Sequence, residues 1–190
     1  MHLAETMDLV RNRFEQLIVE LQENQSIELK KARLREPAGS EAIKKAREIL
    51  PDLPEDMIAF YAQMNGCKIE WFGKEQKPLN EDHYCEGMIN LLPIETIVGS
   101  WQNVIWFKSE QETLQSIRPI DFFVEEACTA LFPVADEELT ICYHYCGEEL
   151  HPTGYTFSEY VERLIESRGF IFGIKALCLY LTQSSEALMF

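Results

Sequence analysis

The residues best suited to chemistry lie close together in the stretch "TICYHYC", residues 140–146. In an extended strand Cys142, His144 and Cys146 point to one face, with successive members about 7 Å apart. Cys142 and Cys146 are then too far apart for a disulfide. Zinc needs ligands that converge at about 2.0–2.3 Å, usually supplied as close pairs, and the chain has no C-x-x-C pair. The spacing favours a strand whose cysteines pack in the core, and we expect no metal or other cofactor.

A site assembled from more distant residues is the alternative. His83, Cys85 and His151 are candidate ligands from neighbouring loops, and Cys85 is a candidate nucleophile with either histidine as its base. The chain contains no nucleophile elbow, no phosphate-binding glycine loop, no dinucleotide fingerprint and no H-E-x-x-H motif. We therefore expect no catalytic residues, with a Cys/His metal- or thiol-dependent enzyme as the alternative.

The charge balance restricts the partners of the protein. The 190 residues include 17 Lys and Arg against 32 Asp and Glu, a net charge of −15. Such a chain repels the phosphate backbone of nucleic acids and attracts basic proteins. The chain has six scattered cysteines, no signal-like start and no apolar run of ~20 residues. We expect a cytoplasmic protein with reduced thiols, no membrane anchor and no direct contact with nucleic acid.

Hydrophobic periodicity predicts two helices in the first third of the chain. An apolar stripe at three- and four-residue steps predicts an N-terminal helix within residues 1–30 that ends near Glu23. The stretch "LPEDMIAFYAQMNG", residues 53–66, predicts a second helix. Pro54 suits its first position, and the Asn-Gly pair at its end supplies a left-handed stop.

Strands and one further helix are predicted downstream. The strands are residues 67–72, where apolar and polar positions alternate, residues 87–92, and an antiparallel pair ending at Val134 and Tyr145. Residues 93–101 indicate a turn with a short helix, and residues 101–123 indicate no particular element. Thr156 and Glu159 form a capping-box pattern ahead of a helix with a buried stripe.

Two segments have an unusual composition. Residues 30–47 hold seven basic and two acidic residues, a net of +5, so the remainder of the chain carries −20. There Ser40 is expected to cap a short helix whose basic residues face water, with an anion or partner contact as the alternative. Residues 170–188 are apolar around most of a helical circumference and must be covered, either by the core or by a second subunit.

The order of four motifs resembles the SUKH superfamily, the Smi/Knr-like group that includes fungal cell-wall-synthesis regulators and many bacterial immunity proteins. The motifs are "LPEDMIAFYAQMNGC", "INLLPIETIVGSW", "LFPVADEELTICYHYCG" and "TFSEYVERLIE", and they span about residues 40–168. The matched residues are Leu53, Pro54, Asn65, Gly66, Leu91, Leu92, Pro93, Phe157, Glu159 and Tyr160. The chain departs from the family in the strand-pair turn, where relatives often have Gly-Gly-Asp and this chain has Glu137-Glu138-Leu139.

The resemblance implies a fold and a role. The fold is α+β, a single domain over residues 1–190 with a mixed or mainly antiparallel sheet of about four to six strands. Helices flank the sheet at both ends of the chain, with residues 169–190 as a C-terminal helical extension. Bacterial members of the family bind a toxin domain, often a nuclease or a deaminase, and block it without catalysis. We expect an immunity protein of this kind, whose partner is a basic toxin domain.

Acidic side chains and aromatic anchors are the expected contacts for such a partner. The candidate contact residues are Trp71, Phe72, Asp136, Glu137, Glu138, Glu148 and Glu149. A scattered, solubilising acidic surface is the alternative for the five acids. An intracellular scaffold that forms a homodimer through residues 170–188 is the alternative for the function.

Overall fold

A computed structural model describes residues 2–74, 85–105, 112–124, 127–133, 139–145 and 150–170. Within these ranges the helices are α1 His2–Glu23, α2 Ser40–Ile49, α3 Glu55–Tyr61, α4 Ile94–Ile97 and α5 Phe157–Glu166, with a 3-10 helix at Glu112–Ser116. The strands are β1 Ile27–Leu34, β2 Cys67–Gly73, β3 Glu86–Leu91, β4 Arg118–Val124, β5 Ala127–Pro133, β6 Leu139–Tyr145 and β7 Leu150–Pro152. The helices and strands together confirm the α+β class.

The described strands form one antiparallel sheet in the order β1-β2-β3-β4-β5-β6-β7, so each strand pairs with its neighbours in the chain. This number exceeds the four to six strands expected. The strands missed from the sequence are β1, β4 and β7. Exposed basic residues conceal the alternation in β1, and Pro119 and two register shifts break it in β4. Strand β7 has only three residues.

One face of the sheet, the helix face, carries the main core. Ile69, Ile89 and Ile141 lie on this face, where all five helices contribute to the same apolar cluster. On the opposite face a smaller cluster covers β5 and includes Trp101, Ile117 and Cys128.

Both faces of β6, the strand of the "TICYHYC" stretch, are buried. Ile141 and Tyr143 point to the helix face, and Cys142 and His144 point to the other, each at most 3% exposed. The strand pairs with β5 on one side and with β7 on the other. The prediction of an antiparallel strand with a core cysteine is therefore confirmed for Cys142.

The junction between α3 and β2 is built against the junction between β3 and α4. The Tyr61 hydroxyl donates to the Leu92 carbonyl at 2.8 Å, and the Asn65 Oδ1 accepts the Ile94 N–H at 2.9 Å. Gly66 has φ +82°, and a Cβ there would lie 2.3 Å from the Leu91 carbonyl oxygen. Asn65 and Gly66 therefore hold these two junctions together instead of stopping α3, which ends at Tyr61.

The basic segment at residues 30–47 is divided between two elements. Its first residues form most of β1, and its last residues lie on α2. Gly39 is the N-cap of α2, without a side-chain capping bond, and Ser40 is the first helical residue. The expected Ser40 cap is therefore wrong. At α5 the expected capping box is confirmed, because Thr156 Oγ1 accepts the Glu159 N–H at 3.2 Å and the Glu159 carboxylate accepts the Thr156 N–H at 2.9 Å.

A seam between β3 and β4 joins two parts of the sheet. The register pairs these strands at Leu91 and Asp121, and the buried Asp121 side chain reinforces the junction. Its Oδ1 accepts the Asn90 N–H at 2.8 Å, and its Oδ2 accepts the Tyr160 hydroxyl at 3.0 Å. Asp121 therefore links β3, β4 and α5 through one carboxylate. Burial raises the pKa of this carboxyl to about 6, although both hydrogen bonds favour the charged form.

We predict that Asp121→Asn changes how stability depends on pH. The Asp121 pKa rises from 3.8 to about 6 on folding, so between these values the folded state binds a proton that the unfolded state has lost. Asp121 therefore contributes most stability below about pH 4, and this contribution falls by about 3 kcal/mol as the pH rises to about 6. Urea unfolding should therefore show that the unfolding free energy of the variant, relative to that of the parent protein, rises by about 3 kcal/mol between about pH 4 and about pH 6.

Glu159→Gln is the control, because the stability contribution of Glu159 should depend on pH in the opposite direction. Hydrogen bonds from Thr156 lower the Glu159 pKa, so its contribution is lost as the pH falls. A stability difference between Asp121→Asn and the parent protein that stays constant with pH would contradict the assignment.

We predict that Gly66→Ala costs about 3 kcal/mol of unfolding free energy, because it combines a left-handed φ with a backbone clash. Gly39 provides the matched control, since its φ is −63° and nothing lies within 4 Å of a Cβ built there. Gly39→Ala should cost less than about 1 kcal/mol. Chemical denaturation of both variants checks this, and equal losses would refute the role of Gly66.

Candidate functional site

A cleft of about 400 Å³ lies on the helix side of β6. Three segments form it: the loop into α3, the start of β6 and the loop into α5. The lining residues are Asp52, Leu53, Pro54, Glu55, Asp56, Leu139, Ile141, Tyr155, Thr156 and Phe157. The cleft therefore lies where the N-terminal ends of two helices meet the edge of the main core.

Asp56 fixes the geometry of this cleft. Its Oδ1 accepts the Met57 N–H at 2.8 Å, and its Oδ2 accepts the Ser158 N–H at 2.8 Å. Ser158 lies in the first turn of α5, where backbone N–H groups have no partner inside the helix. One carboxylate thus connects the starts of α3 and α5, and the capping box of Thr156 and Glu159 satisfies a further N–H of α5.

The rim of the cleft is acidic. Asp52 and Glu55 are exposed, whereas both oxygens of Asp56 are used by backbone N–H groups. Arg47 on α2 contacts the Glu55 carboxylate at 2.7 Å. Both of these side chains are largely exposed, so this ion pair is weak and open to exchange with another cation. The four charged groups together carry a net charge of −2.

The floor of the cleft is apolar. Leu53, Ile141 and Phe157 are each at most 4% exposed, and Tyr155 is half-buried beside them. An apolar floor below an acidic rim suits a long cationic side chain, whose methylene stem covers the floor while its charged head reaches the carboxylates. A lysine or arginine from another protein has this shape. Tyr155 adds an aromatic ring, a surface that guanidinium groups favour.

Trp71, expected as a partner contact, lies in the core and is 4% exposed. Its indole N–H donates to the Arg168 carbonyl at 2.7 Å, and its ring stacks with Phe170 at a centroid distance of 6.5 Å. Gly87 allows this placement, because a Cβ there would lie 2.3 Å from the indole nitrogen. Burial argues against a direct contact, and we assign Trp71 to the core. Phe72 is half-buried on the opposite face of β2.

The acidic contact residues expected from the sequence, Asp136–Glu138 and Glu148–Glu149, lie outside the described residues. Their described neighbours are informative. Leu139, which follows the first group, lines the cleft, whereas Tyr145 and Leu150 flank the second group at the far end of β6. Six residue steps of strand separate the two ends, roughly 20 Å. The described residues next to the two groups therefore lie at opposite ends of β6.

The cysteines and histidines do not assemble a site in the described part of the chain. Within it no three His, Cys, Asp or Glu side chains converge as metal ligands do. Burial raises the pKa of the Cys142 thiol to about 11, which leaves it protonated and weakly nucleophilic at neutral pH. Cys85 is exposed, and its expected partner His83 lies outside the described residues. His151 lies against the ring of Tyr143 at a centroid distance of 6.4 Å.

The sequence reading missed Asp52, Asp56 and Tyr155 as site residues. The stretch "DLPED", residues 52–56, carries these acids, and its pattern indicates a helix start with acids near the positive end of the helix dipole. The contact between Asp56 and Ser158 spans 102 positions of the chain, and no local pattern reveals it.

Neither a protein-family model nor a curated protein matches the chain. None of the described helices is long and apolar enough to cross a membrane.

We predict that Asp56→Ala lowers the unfolding free energy by about 1–2 kcal/mol, because it removes the acceptor of two backbone N–H groups at helix starts. The neighbouring Asp52→Ala is the matched control. Asp52 is exposed and accepts no hydrogen bond from the described residues, so its removal should change stability by less than about 0.5 kcal/mol. Thermal and urea unfolding measure both, and equal effects would contradict the bridging role of Asp56.

Proposed function

We propose that this protein is a SUKH-like immunity protein of the cytoplasm, which neutralises a basic nuclease- or deaminase-type toxin domain by binding it stoichiometrically and without catalysis. The observation that carries the proposal is the cleft with an acidic rim and an apolar floor beside α3 and α5. It fits a lysine or arginine of the toxin, the residue types with which such enzymes hold phosphate groups.

The overall charge supports this proposal. A net charge of −15 accelerates encounter with a basic partner and disfavours nucleic acid, so the protein competes with the toxin's own substrate for the same basic groove. The thiols of Cys67, Cys85 and Cys142 form no disulfide within the described part of the chain, which agrees with a reducing compartment.

The motif contacts give further support. The first motif contacts two of the others: Asn65 accepts the Ile94 N–H of the second motif at 2.9 Å, and Phe60 packs against Phe157 of the fourth at a ring-centroid distance of 5.3 Å. These contacts are consistent with three of the motifs belonging to one structural unit.

The direct test is to sequence the adjacent reading frame and, where it encodes a toxin, to use the C-terminal domain of that toxin. Co-expression should restore the growth of cells that make the toxin. The purified proteins should form a complex with one toxin domain bound per copy of this chain. Isothermal titration at about 50 mM and about 300 mM salt should show weaker binding at the higher salt, as expected for complementary charges. Absence of a complex at every salt concentration would refute the proposed function.

We predict that the double variant Asp52→Asn/Glu55→Gln weakens toxin binding by roughly 10–100-fold at low salt, because it removes both exposed charges of the cleft rim. The matched control is Glu23→Gln/Glu36→Gln, which removes the same charge from exposed positions outside the cleft. This control should change the dissociation constant by less than about threefold. Equal losses for the two double variants would show that net charge, and not the cleft, determines binding.

A further inference from the structure

A second surface lies on the face of β1, β2 and β3 opposite the helices, here called the open face. The strand register arranges its side chains in three rows across the strands. The rows are Glu28–Phe72–Glu86, Lys31–Glu70–Met88 and Arg33–Lys68–Asn90. The β1 members are exposed and the β2 and β3 members are half-buried, as expected for a sheet face over which none of the described helices packs.

The rows form a charge gradient along the strands. The first row carries two carboxylates beside Phe72, and the last row carries two cations beside Asn90. In the middle row Lys31 lies opposite Glu70. The open face therefore has an acidic end and a basic end about four residue steps apart, roughly 13 Å.

The charges on this face are poorly satisfied within one molecule. Arg33 lies directly opposite Lys68, and like charges at opposed cross-strand positions repel each other. In the described part of the chain neither cation forms an ion pair. At the acidic end Glu28 contacts Lys30 at 2.5 Å, but both side chains are about half exposed, and such a pair contributes little.

We propose that the open face is a homodimer interface, in which two copies pack face to face about a two-fold axis that runs across the strands. This axis places the acidic end of each copy over the basic end of the other, so every contact between the two ends occurs twice, and the middle row meets its own counterpart on the axis. Glu28 then faces Arg33 of the second copy, Phe72 faces Lys68, and Glu86 faces Asn90. The two end rows are therefore complementary to each other, while in the middle row the opposite charges of Lys31 and Glu70 lie side by side in each copy.

The small size of the face limits the area that the dimer can bury. Three short strands bury less than the ~800 Å² per partner of a standard interface, so we expect a weak and salt-sensitive dimer. The cleft lies on the helix side, near β6, and remains free when the open faces pack. This inference therefore stands independently of the proposed function, and each dimer would present two clefts.

Sedimentation velocity on the purified full chain tests the interface. From ~10 to ~300 µM protein at about 20 mM salt, the parent protein should shift from monomer to dimer, and about 0.5 M salt should weaken the dimer at least ~10-fold. Arg33→Glu should weaken it by a similar factor, because the new carboxylate faces Glu28 of the second copy. Glu28→Arg should do the same through Arg33. The controls Lys45→Glu and Glu41→Arg, at exposed positions of α2, should leave the dimer unchanged.

Mixing the two weakened variants gives the decisive result. In a mixed pair the Arg33→Glu copy retains Glu28 and the Glu28→Arg copy retains Arg33, so opposite charges face each other at both two-fold-related contacts. The mixture should therefore form a heterodimer about as strong as the parent dimer. The double variant Glu28→Arg/Arg33→Glu should also dimerise.

Three outcomes would overturn the proposal. They are a parent protein that stays monomeric at ~300 µM and low salt, a dimer that resists both single reversals, and a mixture that stays monomeric. Circular dichroism and thermal unfolding verify that each variant is folded. If Arg33→Glu does not fold, Lys68→Glu tests the same basic end, because its cation faces Phe72 and lies beside Arg33.

Discussion

The seam between β3 and β4 is the constraint on which the rest of the structure depends. The strands pair at Leu91 and Asp121. The buried Asp121 carboxylate accepts the Asn90 N–H, a bond that a backbone carbonyl would accept in a regular β-ladder. At the other end of β3, Met88 donates its N–H to the Gly169 carbonyl at 2.8 Å, just after α5. Helix α5 and the residue Gly169 after it thus contact both strands of the seam. These contacts reinforce the backbone pairing of β3 with β4, which includes the bond from the Leu92 N–H to the Ile120 carbonyl at 2.9 Å.

The position of α5 in turn sets the cleft. Tyr160 anchors the helix to Asp121 from below, and Asp56 holds its first turn against α3. These two attachments fix the distance between the loop into α3, which carries the acidic rim, and the loop into α5, which carries Tyr155. The cleft is therefore a preorganised site, which reduces the ordering cost of binding.

The charge distribution gives the molecule two different surfaces. The cleft side is acidic, whereas the open face carries basic residues from β1 in an otherwise acidic protein. Strand β1 lies at the edge of the sheet, and its lysines and register shift at Leu29–Lys31 also protect this edge from uncontrolled strand pairing. Exposed charges at an edge strand disfavour the addition of a further strand from another molecule.

The sequence by itself determined the elements that rest on local physics: the amphipathic α1, the alternation of β2, the capping box of α5, the β5–β6 pair and the α+β class. It did not determine β1, β4 and β7. Exposed charged residues hide the alternation in β1, a proline and register shifts break it in β4, and β7 is too short to show it. Only the tertiary structure decided that Trp71 is a core residue, that Asp121 closes the seam and that Asp56 organises a cleft. Each of these roles depends on a partner about 30 to 100 positions away, and hydrogen bonds over such separations leave no pattern in neighbouring residues.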